Sequence, residues 1–303
     1  MRRILFTLAL LVSIGSSHHH LSAAEKNTFD LTLRSRVPAD AKSGLYHHQF
    51  EEQEWNPAET AIVVCDMWDL HHCYNAVQRE TEMAPRMNRL LKEARNSGAT
   101  IIHSPSSCMA FYEDHPARQR AKSIVKVGNL PEKIGEWCHQ IPAEERGVYP
   151  IDQTDGGEDD DPVEHAKWAK KLEAKGLNPR APWTRQTDML TIDNDLDFIS
   201  DNGEEIWSIL ERNKLKNVML VGVHTNMCVL GRPFGLRQMA QNGKNVVLVR
   251  DMTDTMYNPG AWPYVSHFTG TDLIVEHIEK FVCPTVTSAM IIGGDEFRFQ
   301  NDK

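Results

Sequence analysis

The sequence contains no CxxC pair and no Cys/His spacing of the kind that builds a structural zinc site. Its six cysteines, at positions 65, 73, 108, 138, 228 and 283, are too dispersed for a small disulfide scaffold. Basic residues are outnumbered, 33 to 42. That balance argues against nucleic acid or an anionic membrane surface as a partner. No apolar run is long enough to span a bilayer; the run Ile4 to Gly15 is too short. What the chain does have is length. Its 303 residues suffice for one large α/β domain or two small ones.

Residues 1–24 read as a secretory signal peptide. Arg2-Arg3 is the basic start, Ile4 to Gly15 the apolar core, and Ser22-Ala23-Ala24 the small-residue cleavage site. No cysteine sits at that site, so a lipid anchor is not expected. Cleavage would remove two arginines and no acid, leaving 31 basic residues against 42 acidic ones and a net charge of −11. The expected location is periplasmic or secreted, with no membrane contact after signal removal. Export permits disulfides, but the spacing assigns no pairing.

Past residue 58 the pattern alternates. Thr60 to Cys65 is a continuous apolar run, typical of a strand buried on both faces, and ends at Asp66. A helical pattern follows over Met83 to Asn96, closed by Gly98. Ala99 to His103 reads as a second strand and Thr187 to Ile192 as a third. Glu204 to Arg212 has helical spacing, Val218 to His224 is a buried strand, and a helix follows Cys228 to about Asn242, with Gly243 past its end. Asn245 to Arg250 is another strand, ending at Asp251. Thr271 is the expected N-cap of a last helix through Phe281, with Pro284 after it. Strands alternating with helices predict a doubly wound, mostly parallel α/β sheet with helices on both faces. Ligands in such sheets bind beyond the carboxyl ends of the strands, where Asp66, His103, Cys228 and Asp251 are expected. Residues 25–58 read as an N-terminal arm or hairpin, residues 116–186 as an insertion, and residues 284–303 as a C-terminal tail. Within the insertion, Asp152 to Asp161 (DQTDGGEDDD) holds six carboxylates in ten residues. Such a cluster is either a calcium loop without EF-hand spacing or a solvated acidic run.

Val218 to Leu230 (VMLVGVHTNMCVL) places one thiol, Cys228, in the first turn after a strand end. Free backbone N–H groups and the helix dipole there favour a thiolate, the nucleophilic form. The competing reading is a buried packing cysteine. If Cys228 is a free nucleophile, five cysteines remain, so at least one more is unpaired. A carboxylate at the neighbouring strand end, Asp66, suits general acid and base work beside a thiol.

The pairing of AIVVCDMWD (61–69) with VGVHTNMCVL (221–230) resembles the isochorismatase-like cysteine hydrolases, a superfamily with nicotinamidases, N-carbamoylsarcosine amidases and isochorismatases. The resemblance covers about residues 59–283, with 116–186 inserted. More narrowly, DMWD, WTRQ (183–186) and RPFGLRQM (232–239) resemble a secreted bacterial branch. The resemblance implies a Rossmann-type three-layer sandwich and hydrolysis of a linear amide or carbamoyl C–N bond in a small molecule. It implies Cys228 as nucleophile, Asp66 as acid and base, and a cis peptide at Val223–His224. The backbone N–H groups of His224 and Cys228 would then hold the oxyanion. No cofactor is required by that scheme, and a homo-oligomer is implied.

The chain departs from the family at two places. The family triad includes a lysine, and none occurs between Lys175 and Lys214. Its slot falls at Asp193 to Asp195, where acids would raise a thiol pKa. Arg185 is the nearby cation, although an arginine cannot deliver a proton at neutral pH. A catalytically altered or inactive member, binding a small carbonyl compound or serving as an interaction module, is the competing reading. The nicotinamidase metal pair Asp-x-His, expected after the second strand, is also absent from that region, IIHSPSSCMAFYEDHPAR (101–118). His103, Asp114 and His115, or Asp69, His71 and His72, would have to supply any divalent-metal donors. Trp68 is read as a pocket wall or a packing residue.

Overall fold

The computed structural model describes residues 28–40 and 43–302. The signal-peptide reading of residues 1–24 lies outside the described residues. Eight strands form one sheet: β1 (Phe29–Pro38), β2 (Tyr46–Trp55), β3 (Thr60–Cys65), β4 (Thr100–Ser104), β5 (Phe198–Ile199), β6 (Asn217–Val223), β7 (Asn245–Asp254) and β8 (Thr285–Val286). Their order is β2-β1-β8-β7-β6-β3-β4-β5. From β8 to β5 all pairings are parallel, while β1 runs antiparallel to both neighbours. The fold is α/β, with a mostly parallel sheet.

The helices are α1 (Tyr74–Asn96), α2 (Pro116–Ser123), α3 (Pro162–Ala174), α4 (Gly203–Arg212), α5 (Leu236–Gln241), α6 (His267–Phe281) and α7 (Ala289–Ile292). Side chains alternate along each strand. Val218, Leu220, Val246 and Leu248 pack with Ile206, Leu236, Met239 and Ile274 of α4, α5 and α6. Met219, Val221, Val247 and Val249 pack on the other face with Met83, Met87, Leu90 and Leu91 of α1 and Ile292 of α7. Each fully buried side chain of this size contributes about 1.5–3 kcal/mol. The sheet is therefore doubly wound. Among the described residues no helix is long and apolar enough to cross a membrane.

Several sequence expectations are corrected. Thr187 to Ile192 is a turn, with the Leu190 N–H on the Thr187 carbonyl at 3.2 Å and the Thr191 N–H on Asn88 Oδ1 at 2.9 Å. The third strand is instead the two-residue β5, beside β4. α1 begins nine residues before Met83. Asp160, from the acidic loop, accepts the N–H groups of Tyr74 and Asn75 at 2.7 Å each and so caps its start. The helix expected from Cys228 to Asn242 is two pieces, a π-helical turn at Thr225–Val229 and then α5, divided by Pro233. α6 starts at His267, because Ser266 Oγ caps the Thr269 N–H at 3.1 Å; Thr271 lies inside the helix.

Residues 284–303 are more than a tail, since β8 and α7 belong to the sheet and one of its layers. β7 runs on to Asp254, past Asp251. Asp251 accepts from the Ser288 N–H (2.7 Å), Ser288 Oγ (2.6 Å) and the Phe297 N–H (3.0 Å), which fastens the C-terminal segment. The N-terminal segment forms a hairpin that extends the sheet.

Candidate active site

β3 and β6 are adjacent and parallel, so Asp66 and the Cys228 turn emerge side by side. Gly222 makes that approach possible. Its φ is +105°, and a Cβ there would lie 2.0 Å from the Cys65 carbonyl oxygen. Asp66 takes φ +47°, a left-handed conformation that Asp tolerates better than most residues. Its N–H donates to the Ser104 carbonyl at 3.1 Å, and its Oδ1 accepts the Ser106 N–H at 2.7 Å. The Val223–His224 peptide is cis. Thr253 Oγ1 bonds the Gly222 carbonyl and Thr225 Oγ1, both at 2.7 Å, and holds the start of the turn to β7.

The Cys228 thiol lies near the Asp66 carboxylate, whose charge raises its pKa, and near the His224 backbone N–H, which lowers it. Arg232 completes the group, with its Nε 3.1 Å from Asp66 Oδ2. Asp66 has no solvent exposure, Cys228 is buried, and the Arg232 side chain is 24% exposed. Burial pushes the Cys228 thiol far up, and the Asp66 charge adds to this; Arg232 opposes both. The expectation of an easily ionised thiol is thus corrected. Burial also raises Asp66 above the usual carboxylate range, with Arg232, Cys228 and Ser106 pulling it back. The resting site is a neutral thiol beside a carboxylate that is held by an arginine.

The sequence reading missed Arg232. It lies four residues after Cys228, and the turn brings both side chains to Asp66. The residues first considered for the lysine role lie elsewhere. Arg185 is paired with Asp188 at 2.7 Å and lies over the Phe111 ring. Asp193 Oδ1 accepts the N–H groups of Asp195 and Leu196, which closes a surface turn, and Asp195 is exposed.

Four of the suggested metal donors, His103, Asp69, His71 and His115, are engaged by protein partners, whereas His72 Nδ1 is buried without one. His103 is fully buried, with Nδ1 2.9 Å from Gln186 Oε1 and Nε2 3.1 Å from Asp197 Oδ2; Arg95 also holds Asp197. Asp69 accepts from the Thr184 N–H (2.9 Å), Thr184 Oγ1 (2.6 Å) and the Arg185 N–H (3.3 Å). His71 Nδ1 accepts the Cys73 N–H at 3.2 Å, and His115 Nδ1 caps α2 through the Ala117 N–H. His103, Asp69 and His71 do not converge on one point and do not fit a shared metal. Instead rings line the site. Trp183 stacks on Trp68 (4.6 Å), Trp68 on His71 (6.1 Å), and His71 meets His224 edge-on (4.9 Å). Burial holds His224 down to about 3 and lowers His71 well below the usual histidine range, so both rings are neutral at ordinary pH.

Behind His224 lies a buried charge cluster. Arg79 bonds Asp254 at 2.8 Å and Asp159 at 2.8 Å, and His267 Nε2 bonds Asp254 at 2.9 Å. This cluster ties the acidic loop to the sheet end. The other loop acids are also engaged. Asp152 accepts the Thr154 N–H, Asp155 the Gly157 N–H and Asn258 Nδ2, and Asp161 caps α3. Glu158, Asp160 and His165 bring donor atoms within 4.8 Å of one another. That set offers few oxygens against the six to eight that calcium takes, and Asp160 is already engaged by the Tyr74 and Asn75 N–H groups, Cys73 Sγ and His165 Nδ1, so it does not fit calcium. A cavity of about 490 Å³ borders the nucleophile turn at Asn226 and Met227. Trp137, on its wall, lies 5.3 Å from the Arg232 guanidinium.

Among solved structures the chain is similar to a cysteine hydrolase from Pseudomonas syringae pv. phaseolicola, at 15% identity and TM-score 0.45, covering 78% of this chain and 92% of that one. It is similar to an isochorismatase family protein from Burkholderia thailandensis, at 15% identity and TM-score 0.41, over 78% and 94%. An isochorismatase from Pseudomonas putida gives 12% identity and TM-score 0.43, over 78% and 92%. Likenesses this remote add nothing to what the side chains themselves show. No protein-family profile and no curated protein matches the chain.

Proposed function

We propose that the protein is a cysteine hydrolase acting on a linear amide or carbamoyl C–N bond of a small molecule. The observation that carries this reading is the convergence of Cys228, Asp66 and Arg232 at adjoining strand ends. As the sulfur attacks the carbonyl carbon, an S–C bond forms and the thiol proton passes to Asp66. The oxyanion is met by backbone N–H groups of His224 and Cys228. Asp66 then protonates the leaving nitrogen and the C–N bond breaks. Water attacks the resulting thioester, gives its proton to Asp66, and the C–S bond breaks. Asp66 finally returns that proton to sulfur. Arg232 keeps Asp66 ionised between turnovers and, as an arginine, carries no proton in any step. The bordering cavity is within the range that holds small ligands.

The test is a panel of primary amides, ureido acids and carbamates, followed by intact-mass detection of an adduct on Cys228. Cys228→Ser should retain the fold and lose turnover by about 10³-fold or more. Turnover that survives this substitution, or an adduct on another residue, would end the proposal.

A further inference from the structure

His165 lies in the first turn of α3, and its Nδ1 faces two carboxylates at once: Glu158 Oε1 and, at 3.4 Å, Asp160 Oδ2. One imidazole nitrogen carries at most one proton, so it cannot donate fully to both. A cation among the three would satisfy all of them. Two donors bound to zinc at about 2.1 Å in a tetrahedron stand roughly 3.4 Å apart, which is the spacing of His165 Nδ1 and Asp160 Oδ2. A fourth donor comes from the segment just before α1. His72 Nδ1 is buried and has no hydrogen-bond partner. A buried orphan of this kind calls for a missing partner. The ring feels the charges of His165 and Asp160, and burial keeps it neutral, the form that binds metal. His72, Glu158 and His165 line one cavity of about 510 Å³, which supplies an entry path.

We propose that His72, Glu158, Asp160 and His165 form a binding site for a zinc-type transition-metal ion. Two imidazoles and two carboxylates suit such an ion, which is content with four donors where calcium takes six to eight oxygens. Asp160 can take part without giving up its cap of α1. Oδ1 keeps the Asn75 N–H, and Oδ2 has a lone pair beyond the one that accepts the Tyr74 N–H. The ion takes the place of the proton on His165. Bound there, it fastens residues 158–165 to the start of α1. The His72 ring lies 4.0 Å from that of His71, so the ion also braces the ring wall of the active site. Its role is structural, since the cysteine chemistry needs no metal.

The full chain, stripped with a chelator, would be titrated with zinc by calorimetry, and its thermal unfolding followed with and without the metal. His18-His19-His20 also offers imidazoles, so every sample carries alanine at those three positions. The protein should bind one equivalent with a Kd of about 1 μM or tighter and gain Tm. His165→Ala removes a part-exposed ring and should keep the fold by circular dichroism while weakening zinc binding tenfold or more. His72→Ala and Glu158→Gln should each do the same. Zinc that does not bind, that binds His165→Ala as tightly as the unaltered site, or that leaves Tm unchanged would overturn the proposal.

Discussion

Arg232→Met removes the cation beside a carboxylate that water does not reach. At a charge separation of ~4 Å and an effective dielectric of ~20, the pair is worth about 4 kcal/mol. Undiminished, that would move the Asp66 pKa by about 3 units. The Arg232 side chain is 24% exposed, so solvent screens part of it, and a rise of roughly 1–2 units is expected. The sign follows from the forces on Asp66: burial raises its pKa, and Arg232 is the largest influence lowering it. With Arg232 gone, Asp66 is protonated over a wider pH range and cannot take the thiol proton. The acid limb of the pH–rate profile should move up by about 1–2 units, with a roughly 10- to 100-fold loss of kcat/KM on the acid side of the new limb. The same limb is readable without a known substrate, as the iodoacetamide alkylation rate of Cys228 against pH, located by peptide mass spectrometry. An acid limb unchanged in Arg232→Met would refute the assignment of Arg232 as the charge partner of Asp66.

Arg232→Lys keeps a positive charge throughout the range in which Asp66 titrates; its acid limb should stay close to wild type, and a limb displaced as far as that of Arg232→Met would contradict this. Burial alone would lower His267, but the charge of Asp254 and the bond His267 donates to Asp159 raise it to about 9. A raised folded pKa stabilises fully below the unfolded value near 6.5 and is lost as pH rises through about 9; this contributes roughly 3 kcal/mol, absent in His267→Asn. Urea unfolding at several pH values should show that loss in wild type and a flatter curve in the variant; parallel curves would count against the ion pair. Gly222→Ala places a Cβ against the Cys65 carbonyl at a positive φ and should cost roughly 3 kcal/mol or more. A change below about 1 kcal/mol would show that the two strand ends can part freely.

The strands that carry the site were legible because burial on both faces writes a continuous apolar run. TAIVVC, NVMLVGV and NVVLVR all became β3, β6 and the first part of β7. β5 and β8 were not legible, because two residues leave no periodicity to read. Nor was the true start of α1. Its cap comes from Asp160, 86 residues away from Tyr74, so no local cap signal precedes the helix. His103 shows the same limit for sites. A histidine at a strand end looks like a ligand in sequence, yet its partners Gln186 and Asp197 lie 83 and 94 residues downstream.

The cation that the family resemblance implied was sought by its place along the chain, on the strand before α4, whereas the chemistry depends on where a charge sits in space. Arg232 stood in the sequence four residues after the nucleophile, a spacing that on a regular helix would merely put two side chains on one face. The π-helical turn and Pro233 change that consequence, since the chain leaves the helix just there and the guanidinium turns back to Asp66. A lysine could share proton transfer, but an arginine can only hold charge, so every proton in the proposed cycle must pass through Asp66. A raised Asp66 pKa is then suited to its task, since a carboxylate above its usual range is a better base toward a thiol that burial has made reluctant to ionise.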